Sequence, residues 1–273
     1  MPPKFTKLGK GERRIRYYGW NPDLPDHRDF LYAVPPPIAQ ALPSSIDLRP
    51  GCPPVYDQGQ LGSCTGNAIA GAIEFEQIKQ KLPAFTPSRL FIYYNERVIE
   101  HDVPLDHGAQ IRDGIKSVAT QGVCAESSWP YSDQNKDPDP CPECPYAQKP
   151  PESCYVAAKS NLVKLYQRLT PVLNTLKGCL ASGYPFVFGF TVYASFESQQ
   201  VASTGIVSMP ASGEQVVGGH AVVAVGYDDS KQQFIVRNSW GAGWGIQGYF
   251  MMPYAYLTDS NLADDFWTIR TVQ

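Results

Sequence analysis

The hydrophobic period changes partway along the chain, and that change limits the folds open to it. From Thr65 onward, Ala68, Ile69, Ala72, Ile73, Phe75 and Ile78 recur at helical spacing, and the run ends near Lys81, before Pro83. Residues 87–100 and 110–120 read as two more helices, the second closed by Gly122. Thr170 and Pro171 predict an N-cap and first turn for a helix reaching Ser182. Beyond that point, short apolar or aromatic runs over 186–192, 220–227, 233–238, 248–252 and 266–272 are separated by Gly, Asp and Ser, as strands are. Helices first and strands later predict an α+β protein with two segregated lobes. The lobes are expected over 42–130, mainly helical, and 131–273, mainly β.

Residues 1–41 read as a separate Pro-rich extension. Pro22, Pro25, Pro35, Pro36, Pro37, Pro43, Pro50, Pro53 and Pro54 oppose long helices up to residue 54. Tyr17, Tyr18, Trp20, Phe30 and Tyr32 alternate with Asp23, Asp26 and Asp29. Aromatic side chains gain by burial, so 17–34 is expected to be a strap packed on the body, with Pro35–Pro37 as a stiff hinge. Residues 1–16 carry +5 and the remainder −8. The basic arm either docks on its own acidic body or is a mobile terminus. No aromatic-interleaved basic repeat follows, so no nucleic-acid partner is expected.

A chain of 273 residues, 43% hydrophobic and 18% charged, can bury a full core and is not of disordered composition. No stretch approaches the roughly 20 apolar residues of a membrane span, and no apolar run follows the basic start, so no secretory signal is expected in this chain. Location is left open between the cytoplasm and a non-classical export route. Seven cysteines are too few for a disulfide scaffold, and an odd number. If six pair (Cys52, Cys124, Cys141, Cys144, Cys154, Cys179), Cys64 is the spare. Cys141 and Cys144 with Cys124 and Cys154 have some zinc-like spacing, but the Pro-rich loop is unlike a finger, and disulfides or free thiols are favoured over metal.

Four residues carry chemistry. Cys64 follows Gly62-Ser63 at the entry of the strongest helical pattern, where unpaired N–H groups and partial positive charge stabilise a thiolate. A lone cysteine is more often buried and inert, but His220 shifts the balance, because an adjacent imidazole forms a thiolate–imidazolium pair. His220 follows two glycines and opens an apolar strand, 221–225. Asn238 comes 18 residues later at the end of the next strand, with a turn at 228–231 that would bring the two ends together. Its carbonyl oxygen could orient the imidazole, and Trp240 could shield that contact from water. Gln58 could join the Cys64 backbone N–H as an oxyanion donor.

The segments Gln58–Cys64, Gly219-His220-Ala221, Asn238-Ser-Trp240 and Gly243-Trp244-Gly245 with Gly248-Tyr249 resemble the papain family of cysteine peptidases. Residues Leu42 to Arg49 resemble the start of that family's mature enzyme. The likeness runs from about residue 42 to the C-terminus and is nearest to short bacterial members of the xylellain type. It implies a two-lobed fold with a cleft between a helical lobe bearing the cysteine and a β lobe bearing the histidine and asparagine. It implies a thiol endopeptidase, a monomer acting on protein or peptide substrates, whose chemistry requires no cofactor. Cys64 would be the nucleophile, His220 the general acid–base, Asn238 the orienting residue and Gln58 the oxyanion donor. Gly108, Ala109, Gly219, Trp240 and Trp244 would contact substrate, Gly108 and Ala109 through its backbone and Trp244 on the primed side.

The chain also departs from the family's pattern. Leu61 stands where a cysteine is usual, Asp106 stands at that cysteine's partner position, and Thr65 replaces an aromatic. Both halves of one bridge are absent together, which implies a different packing solution. The long helical prosegment is replaced by about 40 Pro-rich residues, expected either to strap across the cleft as a zymogen-like gate or to dock on a remote face. An exopeptidase or transpeptidase on the same residues, and a non-catalytic binding protein of the same fold, are the alternatives.

Overall fold

A computed structural model describes residues 18–83, 85–134 and 140–272. The basic arm of residues 1–16 and Tyr17 lie outside the described residues, as does the centre of the Pro-rich loop.

Helix α1 (Pro36–Gln40) occupies the place of the expected hinge. Prolines fit a first helical turn, where no amide N–H is needed. Helices α2 (Cys64–Lys79), α3 (Arg89–Glu100) and α4 (Ile111–Thr120) form where the periodicity predicts them. Every residue of α2 from Cys64 to Gln77 is buried, so α2 is a central helix without a solvent face. Its small residues permit close approach: a Cβ on Gly66 would lie 2.9 Å from the Arg89 carbonyl oxygen. Ser88 caps α3 by accepting the Phe91 N–H.

The Cys-rich loop contains one disulfide, Cys141–Cys144, and runs into α5 (Glu152–Ala158), which its proline content hid. The pairing left open by the sequence resolves to this bridge, and Cys52, Cys124, Cys154 and Cys179 are free thiols, like Cys64. Helix α6 (Leu173–Ala181) starts later than predicted. Its N-cap is Val172, and Thr170 lies outside the helix. Two short helices, α7 (Gln199–Thr204) and α8 (Tyr254–Leu257), follow.

Among the described residues, seven strands form one antiparallel sheet: β1 (Ser45–Asp47), β2 (Val163–Arg168), β3 (Phe186–Tyr193), β4 (Val216–Asp228), β5 (Gln233–Arg237), β6 (Tyr249–Pro253) and β7 (Ala263–Val272). Their order is β2-β7-β3-β4-β5-β6, with β1 paired to β4. Strand β4 begins four residues before His220, so that histidine lies within the strand and does not open it. Alternation assigns the two faces. Val187, Ala221, Val223 and Val225 face α2, α3 and α4. Phe186, Phe188, Phe190, Val222 and Ala224 face a second core with α6, α8 and the aromatic residues Phe234, Phe250 and Phe266. The N-terminus of α2 therefore abuts the middle of β4.

Candidate active site

The sheet register brings the Ala221 N–H to within 3.3 Å of the Cys64 sulfur. Residues 64 and 221 are 157 positions apart in sequence, and this contact places the neighbouring His220 beside the first turn of α2. His220 Nε2 lies 2.8 Å from Asn238 Oδ1. The same oxygen accepts the Ser239 N–H at 2.8 Å. An oxygen already accepting one donor requires the imidazole to present another, so Nε2 carries a proton and Nδ1 is the basic nitrogen. Strand β5 is antiparallel to β4 and pairs Val223 with Arg237. Continued by one residue, that register sets Asn238 opposite Val222, two residues along β4 from His220 and on the same face. The Trp240 ring lies 5.1 Å from the imidazole at 32°, and Phe190 meets it edge-on at 5.8 Å.

Gln58 is fully buried. Its Oε1 accepts the Ser239 hydroxyl at 2.6 Å, and its Nε2 donates to the Leu61 carbonyl at 3.0 Å. The backbone bond from Gln58 N–H to Ser239 O, 2.8 Å, ties the loop before Cys64 to the chain after Asn238. Gln58, Cys64, His220 and Asn238 are thus brought together. Among the other candidates, Trp240 packs on His220, while Trp244 lies behind Trp240, 5.2 Å from its ring, and is buried.

Asp106 anchors the loop before Cys64. Its fully buried carboxylate accepts the Gly62 N–H at 3.0 and 3.2 Å and the Tyr93 hydroxyl at 2.6 Å. The Cys64 loop is therefore held by charge-assisted hydrogen bonds. Thr65 donates to Glu96, whose carboxyl burial raises well above its usual range. Tyr131 donates to the Gln58 carbonyl at 2.7 Å and lies 2.6 Å from the Ser63 hydroxyl. Asp106 was visible in the sequence only as a departure, and nothing there marked Tyr131 or Ser239.

The strap lies in the cleft. Gly19 O accepts the Ala109 N–H at 2.9 Å, Asn21 N–H donates to Ala109 O at 3.1 Å, and Trp20 N–H donates to Gly219 O at 2.9 Å. A Cβ on Gly108 would lie 2.2 Å from Gly19 O, and one on Gly189 would lie 2.0 Å from Trp20 Cε2. Gly108, Ala109 and Gly219, the expected substrate contacts, are thus occupied by residues 19–21. Further along, Asp29 pairs with Arg112 at 2.6 Å and Arg168 at 3.2 Å, and Trp267 donates to Asp23 at 2.9 Å. Docking is not uniform, because Leu24, Phe30 and Leu31 are exposed.

Cys64 is fully buried under this segment. Burial pushes its thiol up to about 12, against the backbone N–H groups of Ala221, Gly19 and Thr65, which pull it down. The helix start alone favours a lowered value, and burial outweighs it here. Among the described residues no group of three or more His, Cys, Asp and Glu is arranged to hold a metal ion, and no helix is long and apolar enough to cross a membrane.

Residues 42–266 match the model of the papain family cysteine proteases. The chain superposes on xylellain, a cysteine protease from Xylella fastidiosa, with TM-score 0.90 and 47% identity, covering 98% of this chain and 100% of that one. A peptidase C1-like protein of Acanthamoeba polyphaga mimivirus is 44% identical over 94% of this chain and 88% of its own length. Mouse cathepsin K is 30% identical over 82% of this chain, which spans 63% of that relative. Digestive procathepsin L 3 of Tenebrio molitor shares the fold, with TM-score 0.66 and 21% identity over 93% of this chain and 75% of that one. The chain belongs to the papain family of cysteine proteases and is a hydrolase acting on peptide bonds.

Proposed function

We propose that the protein is an endopeptidase that works through a Cys64 acyl-enzyme, and that residues 18–21 hold it closed. The observation that carries the reading is the meeting of Cys64 with the Ala221 N–H, at the His220–Asn238 pair. His220 Nδ1 takes the thiol proton as sulfur attacks the substrate carbonyl carbon. The oxyanion forms between the Gln58 side-chain amide and the Cys64 backbone N–H, a first-turn donor that α2 does not itself use. Collapse breaks the C–N bond, and the amine leaves with the proton from His220. Water then gives a proton to His220, attacks the thioester and releases the acid and the thiol. Asn238 keeps the proton on Nε2 throughout, and the substrate is a protein or peptide bound by a monomer, without a required cofactor.

The strap can occupy the cleft without being cut. The Gly19 N–H lies toward the sulfur, and the Gly19 carbonyl oxygen is engaged by the Ala109 N–H. Residues 1–41 therefore act as a gate, and Gly108, Ala109 and Gly219 pass from strap to substrate on opening. The test is intact mass after treatment with a cysteine-directed epoxide, on a chain beginning at Ala41 and on its Cys64→Ala variant. One adduct on the first and none on the second is expected. An adduct on both, or on neither, refutes Cys64 as the activated thiol.

A further inference from the structure

The two oxyanion donors stand at opposite ends of one loop. Gln58 opens it and Cys64 closes it, so the spacing between the Gln58 amide and the Cys64 N–H is only as fixed as that loop. A hydroxyl from elsewhere in the chain joins the two ends. Tyr131, 73 residues from Gln58, donates to the Gln58 carbonyl at 2.7 Å and lies 2.6 Å from Ser63 Oγ. A carbonyl oxygen only accepts, so the phenol proton goes to Gln58 and the Ser63 hydroxyl donates to the phenol oxygen. Ser63 Oγ in turn accepts Asn67 Nδ2 at 3.1 Å. The hydrogen bonds therefore run one way, from Asn67 in α2 through Ser63 and Tyr131 to Gln58, and bonds in such a chain polarise one another. Ser63 stands at the N-cap of α2, yet its side chain makes no capping bond, unlike Ser88 on α3. Its hydroxyl is committed to Tyr131 instead.

The phenol is itself held in place. The Arg89 guanidinium lies 3.9 Å from the centre of the Tyr131 ring. Its Nη1 donates to the Asp57 carbonyl at 3.1 Å and to Asn67 Oδ1 at 3.2 Å, and Glu126 pairs with it. Two residues beyond Tyr131, Asp133 accepts the Gln60 N–H at 3.2 Å, and a Cβ on Gly59 would lie 1.9 Å from Asp133 Oδ2. Residues 131 and 133 thus brace the loop at Gln58, Gln60 and Ser63. We infer that Tyr131 is a positioning residue for the reaction proposed above, its hydroxyl setting the spacing of the Gln58 amide and the Cys64 N–H so that both reach the substrate's carbonyl oxygen. The inference rests on the peptidase reading. Burial pushes the phenol above its usual range, so it keeps the proton it donates. The sulfur and the imidazole are held by Ala221 and Asn238, through bonds that do not pass through Tyr131. The effect of Tyr131 is therefore confined to steps in which charge develops on the carbonyl oxygen.

Tyr131→Phe tests this, because it keeps the ring beneath Arg89 and removes only the hydroxyl. Parent and variant are both full chains carrying Gly19→Val, whose side chain cannot fit against the Gly62 carbonyl and so lifts the strap. On a quenched peptide, Tyr131→Phe is expected to lower kcat by about 10- to 100-fold, less than the loss of a donor outright, with KM within about twofold. A peptide aldehyde should lose affinity by a similar factor, since sulfur adds to its carbon and its oxygen then occupies the oxyanion position. Alkylation of Cys64 by iodoacetamide, read by peptide mass, should stay within about threefold across the pH range, because displacement at sulfur builds no oxyanion. Equal kcat in parent and variant overturns the proposal and leaves the peptidase reading intact. A parallel fall in hydrolysis and alkylation, or a rise in KM alone, also overturns it, since a merely structural role would give either. A parent chain that neither hydrolyses peptides nor binds the aldehyde refutes the peptidase reading, and this inference with it.

Discussion

Gly19→Val should open the protein. A Cβ at residue 19 would lie 1.7 Å from the Gly62 carbonyl oxygen and 2.4 Å from its carbon. Both atoms are backbone, in the loop that Asp106 clamps, so the strap must move. Lifting it breaks the three backbone hydrogen bonds that Trp20, Asn21 and Ala109 make across the cleft. At about 0.5–1.5 kcal/mol each, their loss weakens closure by about 1.5–4.5 kcal/mol, before any loss of Trp20 burial. Each 1.4 kcal/mol is about tenfold in population, so the open fraction should rise by about 10- to 1,000-fold. The assay is the second-order rate of alkylation at Cys64, located by peptide mass, with Cys64→Ala as the blank for the other four thiols. Circular dichroism should change little, because helices α2 to α8 and all the described strands lie outside the strap. An unchanged rate at Cys64 would refute the argument that the strap, and not the body alone, buries the thiol.

Other outcomes follow from the same geometry. His220→Ala should lower kcat by about 10²–10⁴, as expected for loss of a general acid–base. Gln58→Ala should lower kcat by about 10²–10³, as expected for loss of an oxyanion donor, and it also leaves the Ser239 hydroxyl without its acceptor. Asp106→Ala leaves the Gly62 N–H and the Tyr93 hydroxyl without their shared acceptor, and chemical denaturation should show a loss of about 2–4 kcal/mol. The thiol offers a pH test. In the closed chain burial raises Cys64 to about 12, so its alkylation rate should climb with pH without a plateau below about 11. Gly19→Val removes the largest cause of that rise, and its profile should level off at lower pH; two superimposable profiles would contradict this.

The reactive residues were legible because chemistry restricts them. A cysteine at a helix entry, a histidine after paired glycines and an asparagine one hairpin later are unusual residue choices at recognisable places. The helices α2, α3 and α4 and five of the seven strands were legible from period alone. Strand β2, with Lys164, Gln167 and Arg168, looks too polar for a strand because it lies at the sheet edge, and α5 was hidden by Pro150 and Pro151 just before it. Asp106 could be seen as a substitution, but its task depends on Tyr93 and Gly62, which only the folded chain brings to it. The strap was predicted to pack on the body from its aromatics. Its contact with Cys64 rests on the missing side chain of Gly19, which composition could not distinguish from an ordinary loop glycine.

The account stands on one claim: Cys64 is the nucleophile of a site that residues 1–41 keep covered. Hydrolysis of a short fluorogenic peptide by the full chain, by a chain beginning at Ala41 and by Cys64→Ala in that shorter chain tests it most directly. The account predicts at least a tenfold higher kcat/KM for the shorter chain and no turnover after Cys64→Ala. Equal rates for the two lengths, or activity that survives loss of the thiol, would contradict it.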